Sequence, residues 1–392
     1  MQQIALGKTL DVEVVEHELD ALWHDSTGAA RSQPTDVDER SDDEAPVLRA
    51  RAANLLVYVS NDKSLEEVHQ LLQELTTVHP SRVLTMFGET DAPDNDIEMF
   101  VSALSQKEKA GGQKRLCCEE VTLKAQGSFI SELPSAALPL LVSDLPTFLW
   151  WRSVVDSSQK VFRNLLHASD RLIIDSVEFA KPVTELLEIN QIFQQEFETP
   201  VGISDLNWAR LTSWRGLLAD FYDVAEYRAA LEVIDSVRIS YAAPRIDANA
   251  IAPQALLMAG WLASRLQWAM TDEPATAKDE RTQFKFSPQR GGTVSVELLH
   301  VNEAGIHPGR LARVELQSQD GSAFKVERSA DLQRVLTEAR LGTNVERGRV
   351  LPVRNRSTAQ LLSREMEILC NDQIYEDAIS MAAEMIVGNR EQ

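Results

Sequence analysis

The chain alternates between stretches whose apolar residues recur every three or four positions and short apolar runs with a period of two, and this alternation sets the first expectations. Asn54 to Ser60 (NLLVYVS) is an apolar, β-rich run that predicts a buried strand. Leu65, Val68, Leu71, Leu72 and Leu75 follow at helical spacing behind Ser64 and Glu67, a capping-box pair, and predict a helix ending near Thr77. Ser81–Phe87, Met99–Leu104, Arg115–Lys124, Thr147–Trp151 and Arg171–Asp175 read as further strands, with a helix from about Pro182 to Phe197.

In the second half, Leu211, Trp214, Leu218, Phe221 and Ala225 mark a long helix starting near Asp205, and Pro253 to Met270 reads as a second, largely buried one. The period then changes to two at Phe284 and Phe286, Val294 to Leu298, Val314 and Leu316, and Phe324 and Val326, with Asp320-Gly321 as a hairpin turn. Helices return at Ala359–Leu369 and Gln373–Ile386. The fold class is therefore α/β (α+β overall). The first domain is expected to hold a mixed sheet with flanking helices, and the second helices plus a small antiparallel sheet.

Composition refines this picture. At 392 residues the chain is long enough for two domains. Residues 1–46 read as an acidic, largely flexible extension, because His24 to Ala45 offers little apolar surface to offset the entropy of ordering it. Residues 47–200 and 201–392 are the expected N-terminal and C-terminal domains. A formal charge of −21 disfavours nucleic acid and anionic membranes as partners. The apolar runs fall short of the roughly 20 residues that span a bilayer, and Met1–Leu10 lacks the apolar core of a secretory signal, so a cytoplasmic protein is expected.

Few motifs carry chemistry. No Gly-x-Gly-x-x-Gly, Gly-x-Ser-x-Gly or His-Glu-x-x-His spacing occurs, so no cofactor, metal or catalytic residue is assigned. Cys117, Cys118 and Cys370 fit neither a disulfide framework nor a paired zinc motif. Adjacent strand residues point to opposite faces, so a Cys117–Cys118 bridge would need local rearrangement.

Leu138 to Arg152 reads LPLLVSDLPTFLWWR, and with Cys118–Gly127, Ala168–Ser176, Leu206–Phe221 and Trp261–Leu266 it resembles the OpcA family of glucose-6-phosphate dehydrogenase assembly proteins. That resemblance implies a non-catalytic, cytosolic protein that binds tetrameric glucose-6-phosphate dehydrogenase and activates it allosterically in the oxidative pentose phosphate pathway. It also implies a thiol-redox response involving thioredoxin, for which Cys117, Cys118 and Cys370 are the candidates. Asp144, Trp150, Trp151, Arg152, Trp208, Arg210 and Arg215 are the candidate partner-interface residues, since aromatic and arginine side chains dominate interface hot spots. A core role for the tryptophans is the competing reading. The functional alternative is a sugar-phosphate-binding sensor or enzyme of carbohydrate metabolism, with Arg152 or Arg171 in an anion pocket.

Overall fold

The computed structural model describes residues 3–7, 12–26, 48–49, 51–75, 78–90, 92–105, 116–195, 201–278, 280–342, 344–352, 356–368 and 370–390. Most of the expected acidic linker, 27–45, lies outside the described residues. The first half contains β1 (Gln3–Gly7), α1 (Val12–Ser26), β2 (Leu48–Arg49), β3 (Ala53–Val59), α2 (Asp62–Leu75), β4 (Ser81–Glu89), β5 (Asn95–Ser105), β6 (Leu116–Gln126), α3 (Leu133–Ala137), β7 (Thr147–Arg152), α4 (Lys160–His167) and β8 (Arg171–Ile174). Then come α5 (Pro182–Gln194), β9 (Gly202–Asp205), α6 (Leu206–Phe221), α7 (Arg228–Leu231), β10 (Ile234–Ala242) and α8 (Pro253–Arg265). The remainder is β11 (Trp268–Met270), β12 (Thr276–Lys278), β13 (Arg281–Pro288), β14 (Val294–Val301), β15 (Leu311–Ser318), β16 (Ala323–Arg328), β17 (Arg334–Leu341), β18 (Asn344–Pro352), α9 (Thr358–Glu365) and α10 (Gln373–Arg390).

These elements form two compact units, each assembled from several chain segments. One comprises 1–174, 197–204 and 357–370, and the other 175–196, 205–356 and 371–392. In the first unit the strands lie in the order β1-β5-β6-β4-β3-β7-β8-β9, with β2 also on β6. The pairs β3–β4, β4–β6, β3–β7 and β7–β8 are parallel, and β1 and β5 form an antiparallel edge. Counted from β3 and setting aside β5, the path β6-β4-β3-β7-β8-β9 is the 3-2-1-4-5-6 order of a doubly wound dinucleotide-type sheet. β3 and β8 are buried along their whole length, as strands covered on both faces must be. At the N-terminus, β1 adds to this sheet and α1 packs on β5, with Val15, Leu19 and Leu22 buried.

Helix α2 starts at Asp62 rather than after Ser64, because the Asn61 side chain accepts the Ser64 N–H at 2.9 Å and supplies the cap itself. A complete capping box forms instead at α9, between Ser357 and Gln360, and Ser357 also donates to Glu74 on α2.

The second unit is built on a sheet ordered β11-β13-β14-β10-β15-β16-β17-β18, with β12 on β13. Nine strands among the described residues make it larger than the small sheet expected, and the parallel β10–β14 pair makes it mixed. Of the strands that sequence did not suggest, β10 is the central one, lying between β14 and β15. Alternate residues of β14, β15 and β16 are buried, and α6 and α8 pack against this sheet, with Phe221 of α6 5.3 Å from Phe324 of β16. The other strand positions carry a ladder of opposite charges, in which Arg238 lies 2.6 Å from Glu297 and 3.7 Å from Glu315. Helix α8 stops at Arg265 rather than continuing to Met270, because Gln267 enters the left-handed region at φ 56° and the chain turns into β11.

Among the described residues no helix is long and apolar enough to cross a membrane.

Candidate functional site

The two groups of candidate residues fall in different units. In the first, Asp144 sits in an exposed turn at φ 63°, ahead of β7. Trp150 and Trp151 point to opposite sides of β7, yet both are buried because this sheet is covered on both faces. Trp151 stacks on Tyr58 at 4.2 Å and meets Phe162 edge-on at 4.8 Å. Arg152 lies 5.2 Å from the Trp150 ring and donates to Glu67 at 2.9 Å.

This arrangement occupies the carboxyl ends of β3 and β7, the point at which the strand order reverses and where doubly wound sheets take their ligands. Ser153 donates to Ser60 across that point at 3.0 Å. The β3–α2 turn reads Ser60-Asn61-Asp62-Lys63-Ser64, without the glycines that let a backbone approach a pyrophosphate. Arg171 is committed to Ser204 Oγ at 2.9 Å and the Cys370 carbonyl at 2.6 Å. Cys118 is buried in β6 and Cys370 is exposed, while the Cys117 side chain lies outside the described residues.

The second unit contains a more elaborate polar site, centred on the N-terminus of α6. Asp205 caps that helix, its Oδ1 accepting the N–H of Asn207 at 2.8 Å and that of Ser176 at 3.0 Å. Asn207 donates to Ser176 Oγ at 3.0 Å and accepts from Gln254 at 2.8 Å, and Gln254 Oε1 accepts the backbone N–H of Leu311 at 3.0 Å. Ser176, Asp205, Asn207 and Gln254 are all buried. One continuous hydrogen-bonded chain thus ties the 175–178 turn, α6, α8 and the start of β15 together.

Asp205 Oδ2 is left without a hydrogen bond among the described residues, as is the hydroxyl of Tyr375 in α10. The two groups nevertheless interact. Burial, together with the Asp205 and Asp372 charges, raises the Tyr375 pKa well above its ordinary value. Burial, then the neighbouring Asp175 charge, pushes the Asp205 carboxyl up to about 6.

Around this chain stand four arginines. Arg210 makes a two-pronged pair with Asp175 at 2.6 and 2.7 Å. Burial opposes its charge, but Asp175, with Asp205 and Glu178, outweighs burial and the Arg210 pKa is raised. Arg215 lies 3.5 Å from the Trp208 ring, and burial lowers its guanidinium to about 10. Trp208 is buried, donates to Asp372 at 2.8 Å and lies 5.5 Å from Tyr375. Asp372 in turn accepts the N–H groups of Ile374 and Tyr375 at the start of α10. Arg328 donates through Nε to the Leu311 carbonyl at 2.8 Å. Burial, then the Arg210 charge, pulls Arg310 down to about 10.

Chemically the site gathers four arginines around a buried carboxyl, Asp205, whose pKa burial raises to about 6. Among the described residues, no group of three or more His, Cys, Asp and Glu side chains could hold a metal ion. Sequence reasoning named Trp208, Arg210 and Arg215 but missed Asp175, Asp205, Asn207, Gln254 and Arg310. Asp205 had a local signal, an acidic residue directly ahead of the apolar helix that begins at Leu206.

Residues 72–191 match the family model described as the glucose-6-phosphate dehydrogenase subunit N-terminal domain, and residues 201–379 match the corresponding C-terminal domain. The chain belongs to the OpcA family. A Nostoc punctiforme relative named OxPP cycle protein OpcA is 32% identical over 257 residues, covering 65% of this chain and 53% of the relative. The Synechocystis protein of the same name is 28% identical over 309 residues, covering 77% of this chain and 63% of that one. The match therefore spans between half and two thirds of the length of these OpcA relatives. Among solved structures, the open form of KijD10, a 3-ketoreductase from Actinomadura kijaniata in complex with TDP-benzene and NADP, has a TM-score of 0.51 at 9% identity. It covers 87% of this chain and 97% of its own, and the likeness is one of fold alone.

Proposed function

We propose that this chain is a non-catalytic protein that assembles with glucose-6-phosphate dehydrogenase and activates it in the oxidative pentose phosphate pathway. The observation that carries this reading is the pair of consecutive matches to the two dehydrogenase-subunit domains, over 72–191 and 201–379. The β3–β7 switch point supports the non-catalytic half of it. A fold whose sheet order suits a dinucleotide has a glycine-free first turn here, and the Ser60–Ser153 and Arg152–Glu67 contacts lie at the same end of the sheet.

Activation requires a difference in affinity: the chain binds the dehydrogenase conformation with higher substrate affinity better than the other, and shifts the population toward it. Linkage then makes glucose 6-phosphate tighten the protein–protein complex by the same factor. The exposed Asp144 turn is the candidate contact best placed to meet a partner directly. Trp150, Trp151 and Trp208, being buried, contribute by holding the surfaces above them in shape. Thiol-redox control, with thioredoxin as reductant, is part of the proposal, and Cys370 is the exposed thiol at which it would begin.

The test is steady-state kinetics of the dehydrogenase at low glucose 6-phosphate, with and without this chain, under oxidised and then reduced conditions. The expected result is a lower apparent KM with the chain present and no turnover by the chain alone. Turnover by the chain alone, or unchanged dehydrogenase kinetics, would reject the reading.

A further inference from the structure

Arg310 stands apart from the other charged groups of its unit. It immediately precedes β15 and follows Gly309, whose φ of 74° turns the chain into the strand. The residue after it is fixed from two sides, its N–H by Gln254 at 3.0 Å and its carbonyl by Arg328 at 2.8 Å. The base of the Arg310 side chain is therefore held by a buried, connected network, yet its guanidinium makes no hydrogen bond or ion pair among the described residues.

The charges around Arg310 do not neutralise it. Arg210 and Arg328 both disfavour its positive charge, and Asp175, the carboxylate that favours it most, has both oxygens engaged by Arg210. Arg328 spends only Nε on the Leu311 carbonyl, so its two terminal nitrogens have no hydrogen-bond partner among the described residues. A partly desolvated arginine without a counter-charge is unfavourable unless something outside the chain neutralises it.

We propose that Arg310 and Arg328, backed by Arg210, form a binding site for a phosphate group, either inorganic or carried by a phosphorylated metabolite. Two guanidinium groups together offer more N–H donors than the single fork with which Arg210 grips the planar Asp175 carboxylate, which suits the tetrahedral oxygens and higher charge of phosphate. The site does not depend on the proposed dehydrogenase partner, since all of its residues belong to one unit of this chain.

Isothermal titration calorimetry of the full chain with inorganic phosphate tests it, with acetate as the carboxylate probe and a phosphorylated sugar as the metabolite probe. Saturable one-to-one phosphate binding is expected, weakened roughly ten- to a hundredfold by Arg310→Gln, the loss that follows from removing a charge-assisted hydrogen-bonding partner. Arg313→Gln, on the strand that Arg310 leads into but paired with Glu327, should leave the affinity unchanged. A sugar phosphate that binds more tightly than phosphate itself identifies a metabolite site, and equal affinities identify a site for the ion; both support the proposal. Absence of saturable phosphate binding, equal binding of acetate, or binding indifferent to Arg310→Gln would overturn it. The thermal midpoint of Arg310→Gln without ligand is a second readout. An unchanged or raised midpoint fits an arginine with no structural partner, whereas a marked fall would assign Arg310 to the fold instead.

Discussion

Replacing Asp205 with asparagine should stabilise the protein above neutral pH and remove part of its pH dependence. The carboxyl is buried, beside Asp175, and its pKa rises from 3.8 to about 6 in the folded chain. A raised carboxyl pKa means that the folded state holds the proton more tightly than the unfolded one. Its contribution to stability is therefore complete below about pH 4 and is lost as pH rises through 6. Two pH units correspond to on the order of 3 kcal/mol. Asparagine keeps the Oδ1 acceptor for Ser176 and Asn207, and so keeps the helix cap, while its NH2 group takes the place of the unpartnered Oδ2 and faces the unpartnered Tyr375 hydroxyl. Urea unfolding of Asp205→Asn and wild type at pH 4 and pH 8, followed by circular dichroism, gives the comparison. The advantage of the variant should grow by about 2–3 kcal/mol between the two pH values. A variant that is less stable at pH 8, or a difference that does not change with pH, would refute the argument.

Further predictions concern packing, buried charge and thiol access. Arg82 is buried and joins Glu16 and Glu119, so Arg82→Met should cost about 3–5 kcal/mol in urea unfolding, toward the lower end because Arg51 still pairs with Glu119. Arg82→Met combined with Glu119→Leu should recover part of that loss, because no buried carboxylate remains at 119. A Cβ on Gly260 would stand 2.2 Å from the Ala378 carbonyl oxygen, so Gly260→Ala should force α8 and α10 apart and lower the thermal midpoint, at a cost of about 1–3 kcal/mol. With a thiol reagent under native conditions Cys370 should react rapidly, whereas Cys118 should react only on unfolding; equal rates would contradict their placement.

The elements that could be read from sequence are those whose burial follows a simple period. The alternation at Val294, Val296 and Leu298 and the helical spacing of Leu211, Trp214 and Leu218 correspond to β14 and α6. β10 has its own alternation at Val237, Ile239 and Tyr241, but it stands between helices, with no hairpin partner adjacent in sequence to mark it. The Ser64–Glu67 pair misplaced the start of α2 because Asn61, three residues before Ser64, offers a competing cap.

The polar site was less legible for a different reason. Gln254 and Asn207 are 47 residues apart, and Gln254 and Leu311 are 57 apart, so their pairing leaves no local pattern. In sequence Gln254 is one polar residue in an apolar helix, and only the fold shows that it is buried and satisfied. The interface candidates illustrate the converse. Tryptophan next to arginine in Trp150-Trp151-Arg152 suggests an exposed hot spot, but a parallel sheet covered on both faces buries both rings.

The central claim, association with glucose-6-phosphate dehydrogenase, is tested most directly by sedimentation velocity of this chain mixed with the dehydrogenase of its host, with and without glucose 6-phosphate. The account predicts a complex heavier than the dehydrogenase tetramer, tightened by glucose 6-phosphate by the same factor as the complex tightens glucose 6-phosphate binding. Two independently sedimenting species under both conditions would contradict it.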